Sequence, residues 1–321
     1  MKIRTLLEKN IFFVFAILYS IFFHFRDLIK SYFIKEINNK EFDNFLLKNI
    51  TYWRKNKKAL NNKKILLTSF VHHPGYTLTE SIISKNTQDY SNFDIVGLLD
   101  ENDNFSKKLV QSFNIDTFTN YPKISFFQRL IFLFEAYKII ITLKNFQDFI
   151  NYSSEDISYG KPVYDHIIRM TGKCSHTKVN YKFYFFLAEA LFCNNFSKNF
   201  FSTSSFEYMV MSENQFLPSN IIFQNALKFK VKVLSRIQGP KKIGLRLYSS
   251  LEEKGQTNIK IAKKIINKIF DLNRKLYSEK GLKSLLDLYE GKTPHYDQNS
   301  RNLFLERNNN TVEDLYKALG W

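Results

Sequence analysis

The stretch "KKILLTSFVHHPGYTLTE", residues 63–80, decides how this chain folds. After two lysines, residues 65–70 form a short and nearly continuous apolar run, the form of a strand buried on both faces of a parallel sheet. Pro74 and Gly75 end the run, and Thr77 or Thr79 is placed to cap a helix running towards Lys85. Two of the six histidines, His72 and His73, fall in the turn between strand and helix.

Reading outward, "NFDIVGLLDEND" (92–103) is a second strand that ends in Asp100, Glu101 and Asp103. A helix near 105–113 and a short strand at 115–119 follow. Strand–helix–strand–helix–strand at this spacing predicts an α/β fold with a right-handed parallel sheet flanked by helices. Ligands of such sheets bind at the carboxyl ends of the strands, where His72, His73 and Asp100 all fall. The middle third reads as helices at 126–143, 159–173 and 181–192. The first contains Arg129, Glu135 and Lys138, which makes it a core helix and not a membrane span. Strand character returns at 206–214, then a helix at 218–229 and a strand at 231–236. Residues 260–289 read as a basic helical region, and the tail "TVEDLYKALGW" as an amphipathic helix.

The 321 residues are 44% hydrophobic and 17% aromatic, ample for a real core and against global disorder. A net charge of +17 implies an acidic partner. No zinc-finger spacing, basic-aromatic ribonucleoprotein motif or basic-region heptad accompanies it, so the reading is an anionic membrane surface or phosphorylated ligands and no nucleic acid. Two cysteines, Cys174 and Cys193, lack disulfide-framework and metal-pair spacing and read as ordinary thiols in a reducing compartment.

Residues 11–25, "IFFVFAILYSIFFHF", are almost wholly apolar. As a helix they extend roughly 22 Å, short of the roughly 30 Å hydrocarbon core. Bulky residues stand where a signal-peptidase site needs small ones. Beyond Arg26, residues Leu28, Ile29, Tyr32, Phe33 and Ile37 share one helical face. Three outcomes stay open: a helix lying in the membrane interface, one docked on its own domain, or a true span. A second amphipathic helix is expected over 40–60.

Three segments, "LLTSFVHHPGYTLTES", "YGKPVYDHIIRMTGK" and "YMVMSENQFLPSNIIFQNALKFKVKVLSR", together resemble bacterial proteins of capsular and other surface-polysaccharide biosynthesis. These are glycosyltransferase-like and have the two-Rossmann-domain GT-B architecture. Gly160, Tyr164, Asp165 and Arg169 match one motif of that family; Ser212, Asn220, Ala226 and residues 231–234 match another loosely. Lys161-Pro162 stands where an acidic pair is usual, and Glu213 where a histidine is expected. The resemblance covers about residues 60–240. It implies a Rossmann-like sheet of the GT-B N-terminal-domain type over 61–240, preceded by helices over 1–60. A helical extension over 241–321 follows and is expected to lead towards a donor-binding domain that the chain lacks, so the chain alone is expected to be catalytically weak.

The resemblance further implies transfer of a sugar from a nucleotide-sugar donor to a glycan or lipid-linked acceptor at the cytoplasmic face of the inner membrane, with no other cofactor. A base removes the acceptor proton while positive groups hold the leaving diphosphate. His72, His73 and Glu213 are the candidate catalytic residues. The candidate substrate-binding positions are Gly75, Asp100, Tyr164, Asp165, Arg169, Ser212, Arg236 and Lys241. Each has a plainer explanation: loop histidines capped by backbone, an Asp165–Arg169 pair at i,i+4, a solvated Glu213, a solvated basic loop at 236–242. Asp100, Glu101 and Asp103 resemble a metal cluster, but such a run more often opens a helix, and no metal is expected. The alternatives in function are a non-catalytic membrane-peripheral binding or scaffold protein and an inactive fragment of such a transferase.

Overall fold

The computed structural model describes residues 3–33, 40–54, 63–71, 73–172, 175–237, 244–255, 267–268 and 270–289. The chain divides into two units, Met1–Lys254 and Gly255–Trp321. In the first unit two helices, α1 (Ile3–Phe33) and α2 (Lys40–Arg54), precede β1 (Lys64–Ser69), α3 (Pro74–Ser91), β2 (Asp94–Asp100), α4 (Asn104–Gln111) and β3 (Thr117–Tyr121). Next come α5 (Phe126–Thr142), α6 (Phe146–Ile150), a small antiparallel hairpin of β4 (Ser153–Ser154) and β5 (Ile157–Ser158), α7 (Gly160–Thr171) and α8 (Tyr181–Thr203). The unit continues with β6 (Tyr208–Met211), α9 (Ser219–Lys228), β7 (Lys232–Ile237) and β8 (Gly244–Tyr248), followed by a 3-10 turn. In the second unit the described residues include α10 (Arg274–Tyr289).

The six-stranded sheet runs β3-β2-β1-β6-β7-β8, and every pairing is parallel except β7 with β8. The apolar run in β1 is explained by cover on both faces. Ile65 and Leu67 point into one cluster with Ile83, Val110 and Phe113; Leu66 points into the other with Leu133, Phe183 and Ile222. All three β1 residues are fully buried. From β1 the chain steps to β2 and β3 on one side, and β6 and β7 lie on the other. The order therefore reverses between β1 and β6, which makes that crevice the topological switch point.

Several boundaries differ from the sequence reading. The α3 cap is His73, whose Nδ1 accepts from the Gly75 N–H at 3.1 Å. Thr77 and Thr79 are buried inside the helix instead. Pro74 opens α3, a position where its missing N–H costs nothing. The acidic run after β2 does open a helix: Asp103 Oδ1 caps α4 by accepting from Ser106 N at 2.9 Å. Asp100 Oδ1 accepts from Asn102 N at 2.9 Å in the turn before it. The strand β8 departs from the sequence reading, which expects a helical extension over 241–321. It extends the same six-stranded sheet, and no further strand follows it among the described residues. Residues 55–62, the tail 290–321 and Cys174 lie outside the described residues. Cys193 is buried among apolar side chains, which pushes its thiol up to about 12.

Among the described residues one helical segment, Leu6–Arg26, is long and apolar enough to cross a membrane. One face of it is docked on α5 and α8. Lys9 Nζ donates to the carbonyls of Ile140, Ile141 and Leu143 (3.0, 3.3 and 2.6 Å), so an ammonium caps the C-terminal, negative end of α5. Tyr184 Oη donates to Lys9 O, and Tyr137 Oη to Asn10 Oδ1. Phe13 packs on Phe134 and Tyr137, Tyr19 and Phe23 on Phe185, and Ala16 and Ser20 are fully buried. The opposite face is exposed. Of the amphipathic face expected beyond Arg26, the side chains lie outside the described residues.

Candidate functional site

At the switch point the carboxyl ends of β1 and β6 meet the first turns of α3. Ser69 Oγ, Thr77 Oγ1 and Ser106 Oγ form a buried hydroxyl chain at 3.0 and 3.2 Å. Beneath the loop after β6 lies Glu80, 2% exposed, whose Oε1 accepts from the Ser212 N–H at 2.8 Å. Burial pushes the Glu80 carboxyl up to about 8, against the weaker opposing pull of Ser69, Ser212 and the Arg236 charge. At neutral pH it is mostly protonated and acts as a hydrogen-bonding acid, not as an anion. Neither Glu80 Oε2 nor Ser212 Oγ finds a well-formed hydrogen bond among the described residues.

The rim above Glu80 gathers side chains from three strand ends and one helix. Arg236, near the end of β7, lies over the Tyr76 ring at 4.5 Å. Arg169, from α7, sits 3.9 Å from Glu213 Oε2 and lies over the Phe216 ring at 4.4 Å. Glu213 Oε1 accepts from Gln215 N at 2.6 Å. His73 is exposed, and its Nδ1 is taken by the α3 cap. That bond places the proton of neutral His73 on Nε2, which makes this nitrogen a hydrogen-bond donor. Gly75 has a local reason to be glycine: a Cβ there would meet the His73 ring at 3.2 Å.

Beside this rim an open cleft of about 790 Å³ lies at the ends of β2 and β3, bordered by Asp100, Tyr121, Arg129, His166 and Glu189, with Phe23 and Arg26 of α1 at one wall. Arg129, 5% exposed, pairs with Glu189 at 2.6 Å and lies over Phe185 at 4.7 Å. His166 packs on Phe186 at 4.7 Å. Burial, helped by the nearby Arg169 charge, pushes its imidazole down to about 4, so it is neutral at physiological pH. His166 and Arg169 are three residues apart on α7, which joins cleft to rim.

The structure thus brings His73, Gly75, Ser212, Glu213, Arg169 and Arg236 to one edge, with Asp100 in the adjoining cleft. Two positions do not join them. Asp165 pairs with Lys161 at 2.8 Å, and not with Arg169 as the i,i+4 reading had it, because Arg169 turns to Glu213. Tyr164 packs against Phe146 and the core. His72 and Lys241 lie outside the described residues. Gly160 is fixed by packing: a Cβ would come within 1.7 Å of Phe149 O. Sequence reading missed Glu80, Arg129, His166 and Glu189 as site residues. A signal existed for Arg129 and Glu189, each a charge inside an otherwise apolar helix; Glu80 gives none.

Compared with known proteins, the chain matches no family model, no curated protein and no solved structure.

Proposed function

We propose that this chain is a glycosyltransferase-like protein of surface polysaccharide biosynthesis, of GT-B N-terminal-domain type, acting at the cytoplasmic face of the inner membrane. The observation that carries the reading is the meeting of Arg169, Arg236 and His73 above the neutral acid Glu80 at the switch point, beside a cleft large enough for a sugar. Two guanidiniums and an N–H donor suit the diphosphate of a nucleotide-sugar donor. Glu80 holds the Ser212–Glu213 loop without adding negative charge that would repel such a ligand. Glu213 at the rim and the neutral His166 in the cleft are the candidate groups to take a proton from an acceptor hydroxyl. The resemblance to surface-polysaccharide transferases supports the same reading.

Saturation-transfer NMR of the full chain, supplied with lipid, against a panel of nucleotide sugars tests it. At least one member should bind, and Arg236→Ala or Arg169→Ala should weaken that binding about tenfold or more. No binding across the panel, or binding indifferent to both arginines, rejects it. A second reading, a membrane-peripheral binding protein without catalysis, is favoured by the exposed apolar face of α1. Donor binding without any sugar transfer to lipid-linked acceptors would select it.

A further inference from the structure

The outward face of α1 has a pattern of its own. Leu7, Ile11, Val14, Phe15, Leu18, Phe22 and Phe25 recur at i, i+4, i+7, i+8, i+11, i+15 and i+18, one stripe opposite the docked Lys9, Ala16 and Ser20. Each is between 46% (Ile11) and 63% (Phe22) exposed. The stripe is roughly 27 Å long at 1.5 Å per residue. Along it α5 lies antiparallel, since Lys9 reaches its last carbonyls, Phe13 meets Phe134 and Tyr137, and His24 meets Phe126. That helix exposes its own stripe, Phe127, Ile131 and Phe134, beside the first. Ten large apolar side chains on two neighbouring helices exceed what scattered surface residues account for.

We infer that the paired stripes of α1 and α5 form a monotopic membrane-seating face, with α1 lying along the bilayer surface and remaining docked on its protein. It rests on the membrane location in the preceding proposal and not on its chemistry. The occupant is a bilayer carrying anionic lipid for three reasons. The face is aliphatic and aromatic, without a charged side chain among its ten members. Exposed lysines stand at its two ends: Lys138 and Lys144 beyond Phe134, and Lys123 before Phe127. The whole chain carries +17, which a negative surface attracts. A true span would pull Lys9 from three carbonyls and strip the aromatic contacts of Phe13, Tyr19 and Phe23 from α5 and α8. Seating α1 flat keeps all of them. It also sets the cleft wall formed by Phe23 and Arg26 at headgroup depth, so an acceptor with a lipid tail reaches the cleft without leaving the membrane.

Flotation of the full chain with vesicles of phosphatidylcholine alone, or with a third phosphatidylglycerol, tests the inference. Binding should occur to both and be stronger to the anionic vesicles, with the excess lost in 0.5 M salt. Leu18→Asp with Phe22→Asp, and separately Phe127→Asp with Phe134→Asp, should each lower partitioning roughly tenfold or more. Circular dichroism and the melting temperature verify that both variants fold. The α5 variant decides between seating and spanning: full binding with α5 changed means that α1 inserts alone and overturns the inference. A dimer that either variant dissolves, with no flotation, assigns the face to a second copy and equally overturns it. A monomer that never floats does the same. Nucleotide-sugar binding, read on the same variants, reports on the proposed function independently, because none of these four residues borders the cleft.

Discussion

Glu80 and Glu189 sit on long helices on opposite faces of one sheet, both near its carboxyl edge, and they meet burial in opposite ways. Glu189, on α8, keeps its charge by pairing with Arg129 and borders the cleft, where water reaches it. Glu80, on α3, has one backbone N–H and a set of hydroxyls, and burial holds its proton on. One carboxyl is a fixed anion inside a pair, the other a neutral acid. The difference teaches that a glutamate near this edge takes its chemistry from its neighbours and not from its depth alone.

Breaking the pair should have the largest effect. Arg129→Ala removes the guanidinium that pairs with Glu189 and should cost about 3 kcal/mol, read by urea unfolding; a loss below about 1 would show that solvent already serves the carboxylate. Glu80→Ala should cost about 2 kcal/mol by orphaning the Ser212 N–H and leaving a void. Glu80→Gln should come close to the parent below about pH 4.5, because the amide keeps an oxygen for that N–H and adds no charge.

The parent and Glu80→Gln part with pH. The folded carboxyl titrates near 8 against about 4.5 unfolded, so its stabilisation is complete below 4.5 and is lost as pH rises through 8. His166 works in reverse: its folded value near 4 lies below the ordinary 6.5, so its contribution is complete above 6.5 and is lost as pH falls towards 4. Between 4.5 and 6.5 the two slopes oppose each other. From 6.5 to 8 only Glu80 of the pair acts, and the parent should lose on the order of 1–2 kcal/mol that Glu80→Gln does not. Melting temperatures at pH 6.5 and 8.0 for both proteins measure it, and equal declines would place the Glu80 titration elsewhere. At the small end, Lys161→Ala breaks only an exposed pair with Asp165 and should shift stability by less than about 0.5 kcal/mol.

Much of the parallel sheet was legible because its strands carry their signal locally. β1 reads as an apolar run since both faces are covered, and the βαβ spacing sets its neighbours. β8 was not legible, because in "GLRLY" the leucines Leu245 and Leu247 point outward and only Tyr248 is buried. Its pattern is that of an edge strand with the usual alternation inverted. Within the site, His73, Ser212, Glu213 and Arg236 could be placed together from sequence, as each falls at or just beyond a strand's carboxyl end. Tyr164, Asp165 and Arg169 could not be sorted. They lie on one helix, and which of them faces the sheet edge depends on the phase that Gly160 sets by packing on Phe149. Glu80 was invisible for a different reason. In "TLTES" it looks like a solvent-facing helix residue, and its burial depends on a loop 132 residues away.

The Lys9 cap of α5 also bears on how this protein is handled. Trimming the N-terminal helix is the obvious way to gain solubility from a chain that begins with so many aromatics. Here the trim works against itself. It strips the cap from the three carbonyls that Lys9 serves and opens Tyr137, Tyr184 and Phe185 to water, exchanging one oily surface for another with polar ends unmet. A chain shortened to residue 40 should come out of the cell aggregated, while a full-length chain in mild detergent stays dispersed.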